Sequence, residues 1–274
     1  MHSLPAIIHW KTGPELFTVG QFEIRYYSLL FGLAFFLGYY IFEYIFKKEG
    51  KKAEDLDNLL IYMFVAVVVG SRLGHCLLYD FHYYFIEHPL EIFMPWKGGL
   101  ASHGAGVGIF AAMYLFSRKY KYAYVWILDR IGIVIALAIV FIRTGNFFNH
   151  EIVGLPTDGS WGVIFYKCSE DNGMPIPRIP VQLFEASSYL VIFAFLMWYY
   201  IRHQGKNTLP GVMSGWFLTL TFLARFIWEH FKDSPIILLG MNKGQVYSIP
   251  FILIGIIFLA FGYKRKFSYT IKEK

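Results

Sequence analysis

Long apolar runs broken by short basic loops constrain this chain more than any other feature. Residues 125–142 read VWILDRIGIVIALAIVFI, and six further runs of similar character lie at roughly 26–46, 59–80, 97–117, 181–201, 211–231 and 246–263. A helix of about 20 apolar residues spans a hydrocarbon core about 30 Å thick. The pattern predicts an all-α integral membrane protein with seven transmembrane helices. Composition agrees: 56% of the 274 residues are hydrophobic, 20% aromatic and only 16% charged, with a mean hydropathy of +0.46. A water-soluble domain carries charges on about a quarter of its residues.

The loops orient these spans. KKEGKK (47–52), SRKYKY (117–122), RHQGKN (202–207) and KRK (264–266) follow the first, third, fifth and seventh runs, whereas 81–96 holds no Lys or Arg. The positive-inside rule then places the N-terminus outside and the C-terminus in the cytoplasm. The formal charge of +6 is thus spent on membrane orientation, and no nucleic-acid partner is implied. FHYYFIEHPLEIFMPW (81–96) suits a helix lying in the outer interface. Residues 143–180, with the turn signal PTDG (156–159), suit a small outer head inserted into one transmembrane domain covering 1–274. The first residues lack the basic start and apolar core of a cleavable signal peptide. Cys76 and Cys168 form no C-x-x-C pair, which excludes a disulfide framework and a Cys-type zinc site, leaving two free thiols or one bridge. No metal-ligand constellation stands out, and no cofactor is implied.

With the spans oriented, polar residues gather in the outer third of the membrane. They are Tyr26 and Tyr27 on the first run, Arg72 on the second, His103 on the third, and Arg143 and Asn146 on the fourth. Gln182 and Glu185 open the fifth, Arg225 lies near the outer end of the sixth, and Gln245 and Ser248 open the seventh. An arginine at mid-helix costs about 2.5–3.5 kcal/mol on insertion scales, so such residues face the bundle interior or a wet cavity. Arg225 and Glu229, four apart, are placed to pair. Asp129 and Arg130, near the cytoplasmic end of their run, are read as snorkelling. Gly70 and Gly74 read as close helix packing, while Gly104 and Gly108 beside His103 fit packing or a cavity. His82, His88 and His150 read as satisfied surface histidines. Guanidinium forks match phosphate oxygens, and the natural anion at this depth is a phospholipid head group.

These residues resemble a known family. RTGNFFNHEIVG (143–154) is similar to R-[IL]-G-N-F-x-N-x-E-x-x-G, the signature of the prolipoprotein diacylglyceryl transferases. WKGGLASHGAGVG (96–108), GSRLGHCLLYD (70–80), PVQLFEA (180–186), RFIWEHFKD (225–233) and GQVYSIP (244–250) resemble further blocks of the family, in the same order. Departures are Thr144 for an aliphatic residue, Ser28 after Tyr27, Ile179 before the proline, Phe184 for tyrosine, and Thr221 one turn before Arg225.

The resemblance implies a bacterial inner-membrane enzyme with its active site toward the periplasm. It would move the diacylglyceryl group of phosphatidylglycerol to the lipobox cysteine of a prolipoprotein signal peptide, giving a thioether and glycerol 1-phosphate. On that reading His103 removes the thiol proton, since histidine titrates about two units below a thiol. Arg143 and Arg225 stabilise the leaving phosphate. Tyr27, Asn146 and Glu229 join them around phosphatidylglycerol, with Glu229 orienting Arg225. Asn149 and Glu151 hold the head loop and glycerol hydroxyls, and Gly154 provides a turn that a side chain would block. Tyr26, Arg72, Gln182 and Glu185 support the site. The rival readings are a transporter for an anionic solute or lipid, whose arginines would bind the same anion, and a non-catalytic signal-peptide scaffold.

Overall fold

The computed structural model describes residues 6–19, 22–95, 98–99, 101–172, 174–205 and 207–269. Trp96, Lys97 and Leu100, part of the 96–108 block, lie outside the described residues. Among these, seven α-helices dominate: α1 Tyr26–Lys48, α2 Ala53–Leu78, α3 Ser102–Tyr120, α4 Tyr124–Phe148, α5 Val181–Arg202, α6 Val212–Glu229 and α7 Lys243–Tyr263. The chain is therefore mostly helical. Five of these helices, α1, α2, α4, α5 and α7, are long and apolar enough to cross a membrane. α6 is diluted by Arg225 and Glu229, and α3 by its glycines, His103 and the Arg118–Lys119 pair.

Residues divide into two compact units, the first within 1–41 and 129–267, the second within 42–128 and 268–274. In the first, α1 and α4 run antiparallel. Tyr26 stacks on Phe148 at 4.4 Å, the Tyr27 ring lies against Gly145, and Gly38 lies against Val134. α5 and α6 are joined by Trp228 Nε1 donating to Ser188 Oγ at 2.9 Å and by Phe184 stacked on Trp228. α6 and α7 meet along Gly215, Thr219 and Gly255, where a Cβ at Gly215 would sit 2.8 Å from the Leu259 backbone nitrogen.

The first unit also carries the head. Strands β1 Ala6–Trp10, β4 Trp161–Phe165 and β5 Pro177–Arg178 form one sheet, β1 parallel and β5 antiparallel to β4. Phe147, Val153, Val163, Phe165 and Cys168 form its core, with Trp10 packed against them. The hairpin β2 Glu15–Val19 and β3 Phe22–Arg25 leads directly into α1, and β6 Ile236–Leu238 with β7 Met241–Asn242 joins α6 to α7. The head thus draws in 6–10, which the 143–180 reading did not include.

In the second unit α2 and α3 are packed to backbone contact. A Cβ on Gly70 would lie 2.5 Å from the Gly104 carbonyl oxygen, one on Gly74 2.6 Å from Gly104 Cα, and one on Gly108 2.5 Å from the Ala66 carbonyl. Phe46, Phe116, Tyr122 and Trp126 close the other end of this unit. Between α2 and α3 the interface segment is not one helix. It is a π-turn, Tyr83–Glu87, then a 3₁₀ turn, Pro89–Phe93, because Pro89 cannot continue the first.

Candidate active site

In the first unit, residues from three helices and the turn after α6 build one chain of alternating charge. Arg143, in the last turns of α4, puts Nε 3.1 Å from Glu185 Oε2 of α5, without hydrogen-bond alignment. The other Glu185 oxygen accepts from Lys232 Nζ at 2.9 Å, and the same ammonium donates to Glu229 Oε1 at 2.9 Å. Glu229 lies 3.8 Å from Arg225 Nε, one turn back on α6. Glu185 is fully buried, and Glu229 and Lys232 are buried. Arg225 keeps 39% of its side chain exposed, and among the described residues its two Nη groups have no protein partner. The chain reads Arg143, Glu185, Lys232, Glu229, Arg225: three cations against two carboxylates.

A second network branches from Arg143. Its Nη1 reaches Asn146 Oδ1 at 3.4 Å, and Asn146 Nδ2 donates to Glu151 Oε1 at 2.7 Å. Asn149 Nδ2 donates to the same oxygen at 3.1 Å, and Gln182 Nε2 to the Glu151 carbonyl at 2.8 Å. The amide oxygens of Asn149 and Gln182 are then buried without a hydrogen-bond partner among the described residues. Tyr27 lies near enough to Glu151 and Arg143 for both charges to act on its hydroxyl, while Tyr26 is engaged with Phe148.

The ends of these helices are fixed by backbone straps. Gly154 N donates to the Ile179 carbonyl at 3.1 Å, and Leu155 N to the Phe231 carbonyl at 2.8 Å. A Cβ at Gly154 would meet the Ile179 oxygen at 2.5 Å. Gly154 is thus required by close approach rather than by a left-handed turn, because its φ is not positive. Arg178 donates to the Gly154 carbonyl at 3.0 Å and grips both oxygens of Asp171. Burial works to lower the Arg178 pKa, but the Asp171 carboxylate outweighs it and holds it raised. At the start of α7, Asn242 and Gln245 form a reciprocal cap, Asn242 Nδ2 donates to the Glu229 carbonyl at 2.6 Å, and Ser248 Oγ to the Gly244 carbonyl at 2.7 Å. Gly244 leaves room for the Glu229 carboxylate.

His103 and Arg72 belong to the second unit. His103 is exposed at one end of an apolar groove of about 700 Å³ over the α2–α3 glycine seam. The glycines therefore serve packing and a groove together. Arg72 is buried and bonded through all three nitrogens: it donates to the carbonyls of Glu91, Ile92 (3.2 Å), Gly98 (2.6 Å) and Gly99 (3.3 Å) and packs on the Tyr84 ring. It clamps the 91–99 segment to α2.

Two readings of the sequence are corrected. Asp129 and Arg130 do not snorkel; both are fully buried. Asp129 accepts from Gly211 N and Ser214 N at 2.7 Å and from Ser214 Oγ at 2.5 Å, capping α6 from another helix. His150 is not at the surface: it is buried, its Nε2 bonds the Thr12 carbonyl at 2.7 Å, and its Nδ1 accepts from Lys167 N. The expected Arg225–Glu229 pair is present at 3.8 Å, and Lys232 lies closer still to the same carboxylate, at 2.9 Å. Lys232 itself had no role in the sequence reading; it lies just past the end of α6, and a lysine three residues beyond Glu229 was the available signal.

Apolar helices fit to cross a membrane, with paired cations and carboxylates at their ends, define a multi-pass membrane protein. The family model of prolipoprotein diacylglyceryl transferase matches residues 14–261, and the chain belongs to that family. It is 42% identical to the phosphatidylglycerol–prolipoprotein diacylglyceryl transferase of Tolumonas auensis, covering 95% of this chain and 99% of that one. The proteins of the same name from Chloroherpeton thalassium and Porphyromonas gingivalis are 41% and 40% identical, over 92% and 93% of this chain and 93% and 94% of theirs.

Proposed function

We infer that this protein is a transferase that moves the diacylglyceryl group of phosphatidylglycerol to prolipoproteins. The acceptor is the lipobox cysteine thiol of the signal peptide, and the step is the first in bacterial lipoprotein maturation. The single domain spans the bacterial inner membrane seven times, N-terminus and head in the periplasm, C-terminus in the cytoplasm, and works at the periplasmic side.

The charge chain carries this reading. A phosphodiester brings one negative charge, and the chain from Arg143 to Arg225 holds one more cation than carboxylates. The open Nη end of Arg225 and the fork of Arg143 are suited to its oxygens. The carbon–sulfur bond forms at the glycerol carbon as its bond to phosphate oxygen breaks, and the electron pair leaves with glycerol 1-phosphate. Preplaced guanidinium groups stabilise that growing charge. His103 accepts the thiol proton, which is needed because few thiols are ionised at neutral pH. The unpartnered amide oxygens of Asn149 and Gln182 are acceptors for the glycerol hydroxyls. The family names give no support to a transporter.

The test is a reconstituted assay with labelled phosphatidylglycerol and a lipobox peptide. The peptide should gain a diacylglyceryl mass as glycerol phosphate is released, and Arg143→Ala, Arg225→Ala and His103→Ala should cripple this while the protein still inserts. Full turnover by a well-folded Arg143→Ala variant would refute the assignment.

A further inference from the structure

We propose that Lys232 is the positioning residue of the anion site: it occupies one oxygen each of Glu185 and Glu229 and so keeps these carboxylates from closing on Arg143 and Arg225. The proposal rests on the reading of those arginines as the phosphate site. Its evidence is geometric. Lys232 Nζ lies 2.9 Å from both carboxylates, and its side chain is only 5% exposed. The arginine contacts of the same carboxylates are looser, 3.1 Å without alignment at Arg143 and 3.8 Å at Arg225. The lysine is held in turn by the backbone, since residue 232 bridges to Gly154 and Phe231 accepts from Leu155.

Charge balance gives Lys232 its role. Along the ion-paired chain itself, two arginines and a lysine face two carboxylates, with Glu151 reached from Arg143 only through Asn146; within that chain one positive charge is left for a ligand. Without it, two arginines face two carboxylates. Carboxylates and guanidinium groups pair as two-pronged forks, so each arginine would be drawn into a closed pair and lost to the phosphate. In a buried site little water screens this exchange.

Removing the lysine and one carboxylate together should therefore repair what removing the lysine alone destroys. The experiment uses the full chain in nanodiscs with phosphatidylglycerol and a lipobox peptide, comparing Lys232→Met, Lys232→Arg, and Lys232→Met combined with Glu185→Gln. Lys232→Met should lower kcat/KM about a hundredfold, the order expected when one partner of a buried charge pair is removed. Lys232→Arg should stay within about tenfold of wild type, and the double variant should regain about tenfold over Lys232→Met. A purely structural lysine predicts a double variant no better than the single one, and that result overturns the proposal, as does wild-type activity in Lys232→Met. If Lys232→Met does not fold, the double variant is compared with Glu185→Gln; activity below about a hundredth of that reference overturns the proposal. A second readout does not depend on turnover: glycerol 1-phosphate should raise the unfolding temperature of wild type and of the double variant, but not of Lys232→Met. Failure of wild type to lipidate the peptide would sink the proposed function instead, and leave this binding comparison to decide on Lys232.

Discussion

Asp129 gives the sharpest stability test. Gly211, the residue before α6, has no side chain with which to cap the helix, and Asp129 of α4 supplies the missing acceptor. Both oxygens are used, by two backbone N–H groups and the Ser214 hydroxyl. Hydrogen bonds to a buried charge are worth about 1.5–3 kcal/mol each, and an N–H left unpaired costs about 1–3 kcal/mol. Arg130, fully buried with Nη1 3.9 Å from Asp129, would also lose that carboxylate as a neighbour. These terms overlap, and breaking a buried ion pair costs roughly 3–5 kcal/mol, so about 4 kcal/mol is expected for Asp129→Ala. Asp129→Asn keeps an oxygen for Ser214 but turns an NH₂ group toward Gly211 N, which costs about half as much. In thermal unfolding of the purified protein, roughly 2–4 °C per kcal/mol gives a drop of about 8–16 °C for alanine and about half that for asparagine. An alanine variant unfolding within about 2 °C of wild type would show that the cap carries no weight.

Other consequences are local. Gly74→Leu must push α2 from α3, because its Cβ meets the Gly104 backbone at 2.6 Å; overpacking of this kind costs about 3 kcal/mol, whereas Gly106→Ala on α3, with open space around it, should unfold like wild type. Gly154→Ala should loosen the strap to Ile179 and Phe231 and lower both head stability and turnover, read by limited proteolysis and peptide lipidation. Cys168 should react slowly with iodoacetamide at pH 7–8 until the protein is denatured, because burial raises its thiol pKa and keeps it protonated; rapid native-state labelling would contradict the buried head core. Arg72→Lys should leave the 91–99 segment more open to protease, since an ammonium cannot reach the four carbonyls that the guanidinium spans.

Much of the helical frame was legible because the apolar runs are long and the breaks between them polar. The run at 181–201 became α5 at Val181–Arg202, and that at 246–263 became α7 from Lys243. The head was legible only as a place. Its sheet pairs Ala6–Trp10 with Trp161–Phe165, a contact between residues 155 apart (161 − 6) that no local pattern announces. Asp129 and Arg130 were misread for the same reason: two adjacent charges at a helix end look like a solvated pair until the partner helix is seen. The 81–96 segment was misread more simply, because its aromatic content was weighed and Pro89 was not. Lys232 fell outside every run, and its importance comes from Glu185 on α5, 47 residues away.

The arginines show how a structural polar residue differs from one proposed to bind a ligand. Arg72, Arg178, Arg143 and Arg225 all occur where apolar residues surround them in the sequence. Arg72 spends its donors on four carbonyls, and Arg178 on Asp171 and the Gly154 carbonyl. A guanidinium so engaged is bonded to the protein through all three of its nitrogens, and its contribution is to hold segments together. Arg143 meets Glu185 without hydrogen-bond alignment, and Arg225 meets Glu229 only at 3.8 Å. Their charges are accounted for, but their donors are not. Leaving buried donors idle destabilises a protein, so such an arrangement persists where something else completes it. Depth and charge alone placed Arg72 beside the two arginines of the proposed site in the sequence; the count of bonded nitrogens is what sets it apart from them.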